Sequence, residues 1–426
     1  MGAFLDLLRE NRNYRCSWTG QVVSEVGDHF NNIAVFSLAL GETGSGLVVA
    51  GVMLARALPA VLAGPISGVL LDRFDRRRIM MASDLVRAVI ALGFVRAVSD
   101  PRPWLLYLLS ALLMFASPFF TAGRAAILPA VAGRRELHTA NSLTQTTQWM
   151  TLTVGAFLGG TMVAQFGFRV AFVLNALSFV FSAWSIWRMN PPPGGFRATG
   201  AGPGQVRPMR DYAEGLRYMG STPLVLGIAL VGVGWATGGG ASQILFSLFG
   251  EQVFHRGAAG IGTLWASAGI GLLIGGTLAH RLGARLSFAA YKRTIVVCYV
   301  VHGAAFVIFS QMTSFVLALA WIALSRAAVA VSSVLNYSQL LHHVPDRYRG
   351  RVFATLESMT WATMMLSLLL AGVASLRVSP RLIGAWAGAL SSTTAIFWGW
   401  ANWAGRLPEP ASEDDAVEVS AAQTES

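Results

Sequence analysis

Long apolar stretches alternate with short polar segments along most of the chain. Stretches of about 20 residues, the length that crosses roughly 30 Å of hydrocarbon, recur from residue 17 to residue 404. This pattern predicts an all-α integral membrane protein with twelve transmembrane helices in two pseudo-symmetric six-helix bundles. The predicted spans are 17–40, 45–71, 78–98, 103–124, 140–166, 168–189, 222–248, 258–282, 288–311, 314–340, 350–375 and 381–404.

Two polar segments divide the chain further. Residues 190–221 are rich in Pro, Gly and Arg and predict a cytoplasmic linker. The acidic residues 405–426 predict a disordered cytoplasmic tail. The N-terminal bundle is therefore expected at 1–189 and the C-terminal bundle at 222–404.

The composition excludes a soluble enzyme. The 426 residues are 54% hydrophobic and only 12% charged, whereas soluble domains carry about 25% charged residues. Cys16 and Cys298 lack metal-ligand spacing, the seven His residues form no H-E-x-x-H pair, and no ATP-binding G-x-x-x-x-G-K-[ST] loop is present. We expect no catalytic residue, no metal and no cofactor.

The net charge of +11 reflects membrane topology. Most of the basic residues lie in loops on alternate sides of the predicted spans, so the positive-inside rule places both termini in the cytoplasm and removes the argument for nucleic-acid binding. Residues 1–15 are polar, which predicts no cleaved signal peptide. Lys292 is the single lysine among 32 basic residues, an excess of Arg that favours a GC-rich bacterial source and its inner membrane.

The two halves repeat a short motif. The segment after span 2, starting at Gly68 and ending at Arg78, is echoed after span 8 from Gly276 to Arg285. Parallel repeats of six helices place a substrate site near the bilayer midplane, between the halves.

These motifs resemble the major facilitator superfamily. Its signature between helices 2 and 3 is Gly-x-Leu-x-Asp-Arg-x-Gly-Arg-Arg, in which Asp75 replaces the second Gly. The matching residues here are Gly68, Leu70, Asp72, Arg73, Arg76 and Arg77. Helix 5 contains Gly155-Ala-Phe-Leu-Gly159-Gly160, close to the Gly-Pro-x-x-Gly-Gly element of antiporters but without its proline.

Three further segments resemble the branch of macrolide and siderophore exporters: Gly27-Asp28, Arg56-Ala-Leu-Pro59 and Ala140-Asn141. The resemblance implies efflux of amphiphilic small molecules by a drug:proton antiporter. The expected partners are this substrate, the proton and membrane lipids, and the protein is expected to be a monomer. The open alternatives are a lysophospholipid-like lipid transporter, uptake of a nutrient or metal complex, and a non-transporting membrane receptor.

A polar stripe occupies one face of helix 1. Its members lie at helical spacing: Gln21, Ser24, Glu25, Asp28, Asn31 and Asn32. Charged groups in hydrocarbon are costly, so this face should line a wet cavity or contact protein. A seam that only joins helices would give the same pattern.

Asp28 and Arg56 fall at similar depth in a helix 1–2 hairpin, and we expect them to form an ion pair, structural or functional. Glu25 then lacks an obvious partner. Burial favours protonation of such a carboxylate, so Glu25 is the candidate proton carrier, although an exposed Glu25 that only wets the cavity is the alternative.

Further candidates for the cavity wall are Gln145 and Gln148 in helix 5, beside Asn141 and Thr144. In the C-terminal half, Arg326 and Glu357 either bind an ionic group of the substrate or stabilise the bundle.

The motif after helix 2 is the candidate conformational latch, comprising Gly68, Asp72, Arg73, Arg76 and Arg77. Gly68 should permit close helix approach, and the resemblance implies that Asp72 meets the positive N-terminus of helix 11, near Gly350. Alternatively, the arginines serve only as topology signals and contacts to lipid phosphates. His280 occupies the equivalent acidic position in the second half.

Overall fold

Twelve long helical segments carry the chain through the membrane. The computed structural model describes residues 2–100, 102–191, 195–196, 208–283 and 285–409. The first helices are α1 (Gly2–Glu10), α2 (Arg12–Thr43), α3 (Gly46–Arg73), α4 (Arg76–Ser99) and α5 (Pro103–Trp187). The others are α6 (Pro208–Ser221), α7 (Pro223–Leu248, extended by a π-helical turn Phe249–Val253), α8 (Gly257–Gly283), α9 (Phe288–Gln311), α10 (Phe315–His343), α11 (Asp346–Ala374) and α12 (Pro380–Trp403).

The continuous run α5 contains three spans. Gly133 and Gly167 interrupt it with φ of 72° and 81°, in a backbone region open essentially to glycine alone. The segments are named α5a (103–132), α5b (134–166) and α5c (168–187). With this division every predicted span coincides with a helix, and the all-α membrane architecture of twelve helices is confirmed.

Apolar length alone identifies fewer spans than the fold contains. Among the described residues, eight helices are long and apolar enough to cross a membrane, with α5b and α5c counted together. The three spans that this criterion does not identify are α2, α4 and α12. Polar side chains on the buried faces of α2 and α4 lower the hydropathy of these helices, including Asn31, Asp84 and Arg87.

The described residues form two compact units. Unit 1 is drawn from Met1–Gly202, Ile244–Gly269 and Ser375–Arg377, and unit 2 from Pro203–Gln243, Ile270–Ala374 and Val378–Ser426. The boundary between bundles at residues 189 and 222 stays a prediction. Residues 192–194 and 197–207 of the predicted linker, and residues 410–426 of the predicted tail, lie outside the described residues.

In unit 1, small residues allow α5b to approach two helices closely. Gly159 lies against the backbone of α2, where an added Cβ would be 3.1 Å from the carbonyl oxygen of His29. A Cβ on Gly160 would lie 2.6 Å from the carbonyl oxygen of Ala258 and 2.9 Å from Cα of Gly262, at the start of α8. The glycine-rich element of α5b therefore acts as a packing surface, as small residues commonly do between membrane helices.

In unit 2, the core is built around buried aromatic residues of α9 and α12. Tyr291 donates from its Oη to Oδ1 of Asn336 (2.8 Å), and Trp398 donates from Nε1 to the carbonyl oxygen of Lys292 (3.0 Å). Lys292 in turn donates to the carbonyl oxygen of Leu407 (3.0 Å). Leu407 is buried although it falls in the segment predicted as tail.

The amphipathic helix α6 docks on the start of α11 within unit 2. Glu214 accepts hydrogen bonds from Arg210 (2.9 Å) and from Arg351, and Tyr218 stacks on Tyr348 with ring centroids 4.6 Å apart. The hydrogen bond from Arg210, with the nearby charge of Arg351, holds the pKa of Glu214 below its ordinary value. The end of the linker is thereby fastened to α11.

The close approach at Gly160 generates the first prediction. Gly160→Leu inserts a side chain against the backbone of α8 and should lower stability by about 1–3 kcal/mol or prevent folding. Scanning fluorimetry of the purified protein measures this. Gly64→Leu is the matched control, because no atom lies within 4 Å of a Cβ placed there. Equal melting temperatures for the two variants would contradict the packing role.

The docking of α6 should depend on the charge of Glu214. Because the pKa of Glu214 is lowered, its ion pairs stabilise the docked helix at neutral pH. This stabilisation declines as the pH falls below the ordinary glutamate pKa of about 4.3, and it is lost once the pH passes below the lowered pKa. A nitroxide at Gly220→Cys, with Cys16 and Cys298 replaced, should become more mobile only in acid. Glu214→Gln should raise its mobility at every pH, and exposed Glu42→Gln should not. An immobile label in Glu214→Gln would refute this docking.

Candidate functional site

The polar stripe of α2 lies in unit 1, packed mainly against α5. Gln21, Ser24 and Asn31 are buried, whereas Glu25, Asp28 and Asn32 are half-buried. The helix starts at Asn11, whose side chain accepts from the Tyr14 backbone N–H (2.9 Å), and ends at Gly44 with φ of 62°. The stripe therefore faces protein along one continuous helix.

Asp28 forms its ion pair with Arg87 of α4. Its Oδ2 lies 2.8 Å from Arg87 Nη2, and Arg87 Nη1 lies 3.0 Å from Asp84 Oδ1. The side chain of Asp84 is fully buried, that of Arg87 is 3% exposed and that of Asp28 is 25% exposed. The expected direct pair of Asp28 with Arg56 is wrong, because depth along a hairpin does not reveal the residues contributed by a third helix.

The guanidinium of Arg87 is enclosed by aromatic rings. Its Cζ lies 4.0 Å from the ring centroid of Phe179 and 5.6 Å from that of Phe120. Stacking of a guanidinium on aromatic faces adds a cation–π attraction that is stronger in a site with little water. Sequence reasoning missed Asp84 and Arg87, although a D-x-x-R pair inside a predicted span was a readable signal.

Arg56 has a different environment from the one expected. Its guanidinium lies 5.8 Å from the ring centroid of Phe36, and no carboxylate lies within 4 Å of it among the described residues. It remains within electrostatic range of Asp28. Arg56 thus adds positive charge near the ion pair without belonging to it.

Glu25 is held by two neutral donors. Gln21 Nε2 donates to Oε1 (2.8 Å), and Thr151 Oγ1 of α5b donates to Oε2 (2.7 Å). The cation that interacts with it electrostatically is Arg124, near the end of α5a. Glu25 therefore differs from Asp28, whose carboxylate contacts a guanidinium directly.

The other candidates for the cavity wall have varied surroundings. Gln148 is exposed, and the side chain of Gln145 lies outside the described residues. Arg326 is buried in unit 2 and donates to Ser242 Oγ (2.7 Å). Glu357 is exposed on α11. The carboxylate oxygens of α2 and this buried arginine lie in different units.

The candidate latch is anchored through its second half. Asp75, which departs from the family signature, accepts from the backbone N–H of Arg78 (3.1 Å) and from that of Phe196 in the linker (3.2 Å). Arg76 donates to the carbonyl oxygen of Ala126 (2.8 Å), and Arg77 to that of Ile186 (3.0 Å). These contacts fix the loop to α5a, to α5c and to the linker.

The first half of the candidate latch is open. Asp72 and Arg73 are exposed, and no atom lies within 4 Å of a Cβ placed on Gly68. Among the described residues, none therefore packs closely on Gly68. The role of the motif as a latch stays a prediction.

Comparisons with known proteins agree with this architecture. The sequence profile of the Major Facilitator Superfamily matches residues 18–355. The uncharacterized MFS-type transporter YfiS of Bacillus subtilis is 27% identical over 380 residues, 86% of this chain and 88% of its own. The enterobactin exporter EntS of Escherichia coli O1:K1 / APEC is 28% identical over 301 residues, 67% of each chain.

Solved structures show the same fold. A bacterial homologue of the human lysosomal transporter Spinster superposes with a TM-score of 0.65 at 13% identity, covering 92% of this chain and 95% of its own. A bacterial homologue of the iron transporter ferroportin gives 0.64 at 18% identity, covering 90% and 98%. With its twelve helices and a family match over most of its length, this multi-pass membrane protein belongs to the Major Facilitator Superfamily of transporters.

Proposed function

We propose that this transporter exports amphiphilic small molecules from a bacterial cytoplasm by alternating access, in exchange for protons carried on Glu25. The name of the EntS relatives favours export and a siderophore-like cargo. The resemblance of the α2, α3 and α5b motifs to drug and siderophore exporters points in the same direction. The proposal includes a monomer in the inner membrane, with both termini in the cytoplasm.

The contacts of Glu25 carry the proton assignment. Both of its oxygens accept hydrogen bonds from neutral side chains, Gln21 and Thr151, and no cation lies within 4 Å among the described residues. Protonation of Glu25 therefore breaks no ion pair. A carboxyl group that gains and loses a proton at such low cost suits a coupling site.

Asp28 is the weaker candidate for the proton carrier. Protonating it would remove the negative charge that lies 2.8 Å from Arg87 and would leave the guanidinium with Asp84 alone. Breaking one contact of a buried ionic cluster is costly. We therefore assign the Asp28–Arg87–Asp84 cluster to helix packing and Glu25 to proton transfer.

Flux in proteoliposomes tests the proton assignment. With a panel of amphiphilic dyes, macrolides and catecholate siderophores, an imposed pH gradient should drive uphill movement by the parent protein. Glu25→Gln should lower this movement at least about tenfold while leaving downhill flux, because the amide keeps hydrogen bonds but carries no exchangeable charge.

The controls separate coupling from folding. Glu42→Gln removes an exposed carboxylate at the end of the same helix and should transport like the parent. Proton-driven flux that survives in Glu25→Gln rejects the carrier. Flux that ignores the pH gradient in the parent rejects proton coupling, and net movement only inward points to uptake.

The ionic cluster generates a stability prediction. Arg87→Met leaves Asp84 buried without its cation and should cost about 3–5 kcal/mol. Arg56→Met, which breaks no ion pair within 4 Å among the described residues, should cost less. Thermal unfolding in detergent compares the two variants. A greater loss for Arg56→Met would show that Arg56, and not Arg87, is the main counter-ion of Asp28.

A further inference from the structure

A small cavity in unit 1 contains a cationic group whose bonding capacity is not met. The cavity has a volume of about 110 Å³ and lies where the start of α2, the end of α5a and the start of α5b meet. Tyr14, Trp18, Gln21, Arg124, Leu128 and Asn141 contribute to its wall. Arg124 is charged, and the other lining residues are neutral.

One N–H group of Arg124 lacks an acceptor. Its Nη1 is buried and donates no hydrogen bond among the described residues. A buried guanidinium N–H without an acceptor is costly, and most such groups in proteins are paired. Within the described part of the chain, this N–H group is therefore free to donate to a bound ligand.

Three of the neutral donors around the cavity are already engaged. Tyr14 Oη donates to the carbonyl oxygen of Ala140 (3.1 Å), Trp18 Nε1 to Thr147 Oγ1 (2.9 Å) and Gln21 Nε2 to Glu25 Oε1 (2.8 Å). The remaining polar residues of the wall are Ser17, Asn141 and Thr144, and Arg124 supplies its charge. The volume accommodates one compact oxyanion and excludes a whole amphiphile.

We propose that this cavity binds a phosphate group at Arg124, supplied by the head group of an anionic membrane lipid or by free phosphate. Arginine presents a planar fork of donors that fits phosphate oxygens in pairs. A lipid source agrees with the membrane location of the surrounding helices.

The coupling between Glu25 and a bound anion argues against an acidic cargo as the ligand. Glu25 and a bound anion compete for the positive charge of Arg124, so protonation of Glu25 favours anion binding, and the effect is reciprocal. An acidic cargo would then bind together with the proton, which opposes exchange. This step rests on the proposed function, whereas the site itself rests on the cavity and on Arg124.

Equilibrium binding without any gradient tests the site. Phosphatidylglycerol binding to the detergent-purified protein is measured by native mass spectrometry, and phosphate binding by dialysis of ³²P-phosphate against protein in phosphatidylcholine nanodiscs. Arg124→Gln should weaken binding about ten- to hundredfold, as expected for loss of a charged hydrogen bond, and Arg124→Lys should weaken it less. Arg217→Gln, on exposed α6, controls for general attraction to basic surface.

The outcomes are distinct. A head-group site is supported if Arg124→Gln removes lipid binding and free phosphate does not displace the lipid. The free ion is supported if phosphate binds and the lipid does not. Equal effects of Arg124→Gln and Arg217→Gln overturn the site. If Arg124→Gln does not fold, Glu25→Gln decides: tighter anion binding supports the proposal and unchanged binding overturns it. Because no flux is measured, these results are independent of whether export occurs.

Discussion

The hydrocarbon core of a membrane supplies neither hydrogen-bond partners nor counter-ions, and the arrangement of the polar residues in unit 1 depends on that constraint. A helix with two carboxylates and several amides can cross the membrane only if neighbouring helices provide cations and donors. Formal charges in this region balance, with three acids and three arginines: Glu25, Asp28, Asp84, Arg56, Arg87 and Arg124. Any proton or anion that binds there disturbs this balance, which is how binding can be coupled to a change of conformation.

The three acids of this region have different kinds of partner. Asp28 and Asp84 share one guanidinium that is stacked on Phe179, so protonation of either acid would cost an ionic contact. Glu25 is held by neutral donors and is only in electrostatic range of a cation. Two carboxylates one helical turn apart thus have different kinds of partner.

Two described parts of the linker are held against neighbouring helices. Phe196 is buried in unit 1, where its backbone N–H donates to the Asp75 carboxylate and its carbonyl oxygen accepts from the Arg76 backbone N–H. In unit 2, Glu214 holds α6 to α11. The substitution of Asp75 for the glycine of the family signature has a structural reason here. Its carboxylate caps α4 and receives the linker backbone at the same time.

The amino-acid sequence determined the number of spans, their positions and the family, because the apolar period and the loop motif are local properties of the chain. It also identified Glu25 and Asp28 as acids on one polar helix face, since their spacing on one helix follows from 3.6 residues per turn. The partner of Asp28, the burial of Asp84 and the surroundings of Arg124 were decided by tertiary structure alone. Which helices meet, and at what rotation, depends on close packing of small residues such as Gly160 against Gly262, and this information is distributed over distant parts of the chain.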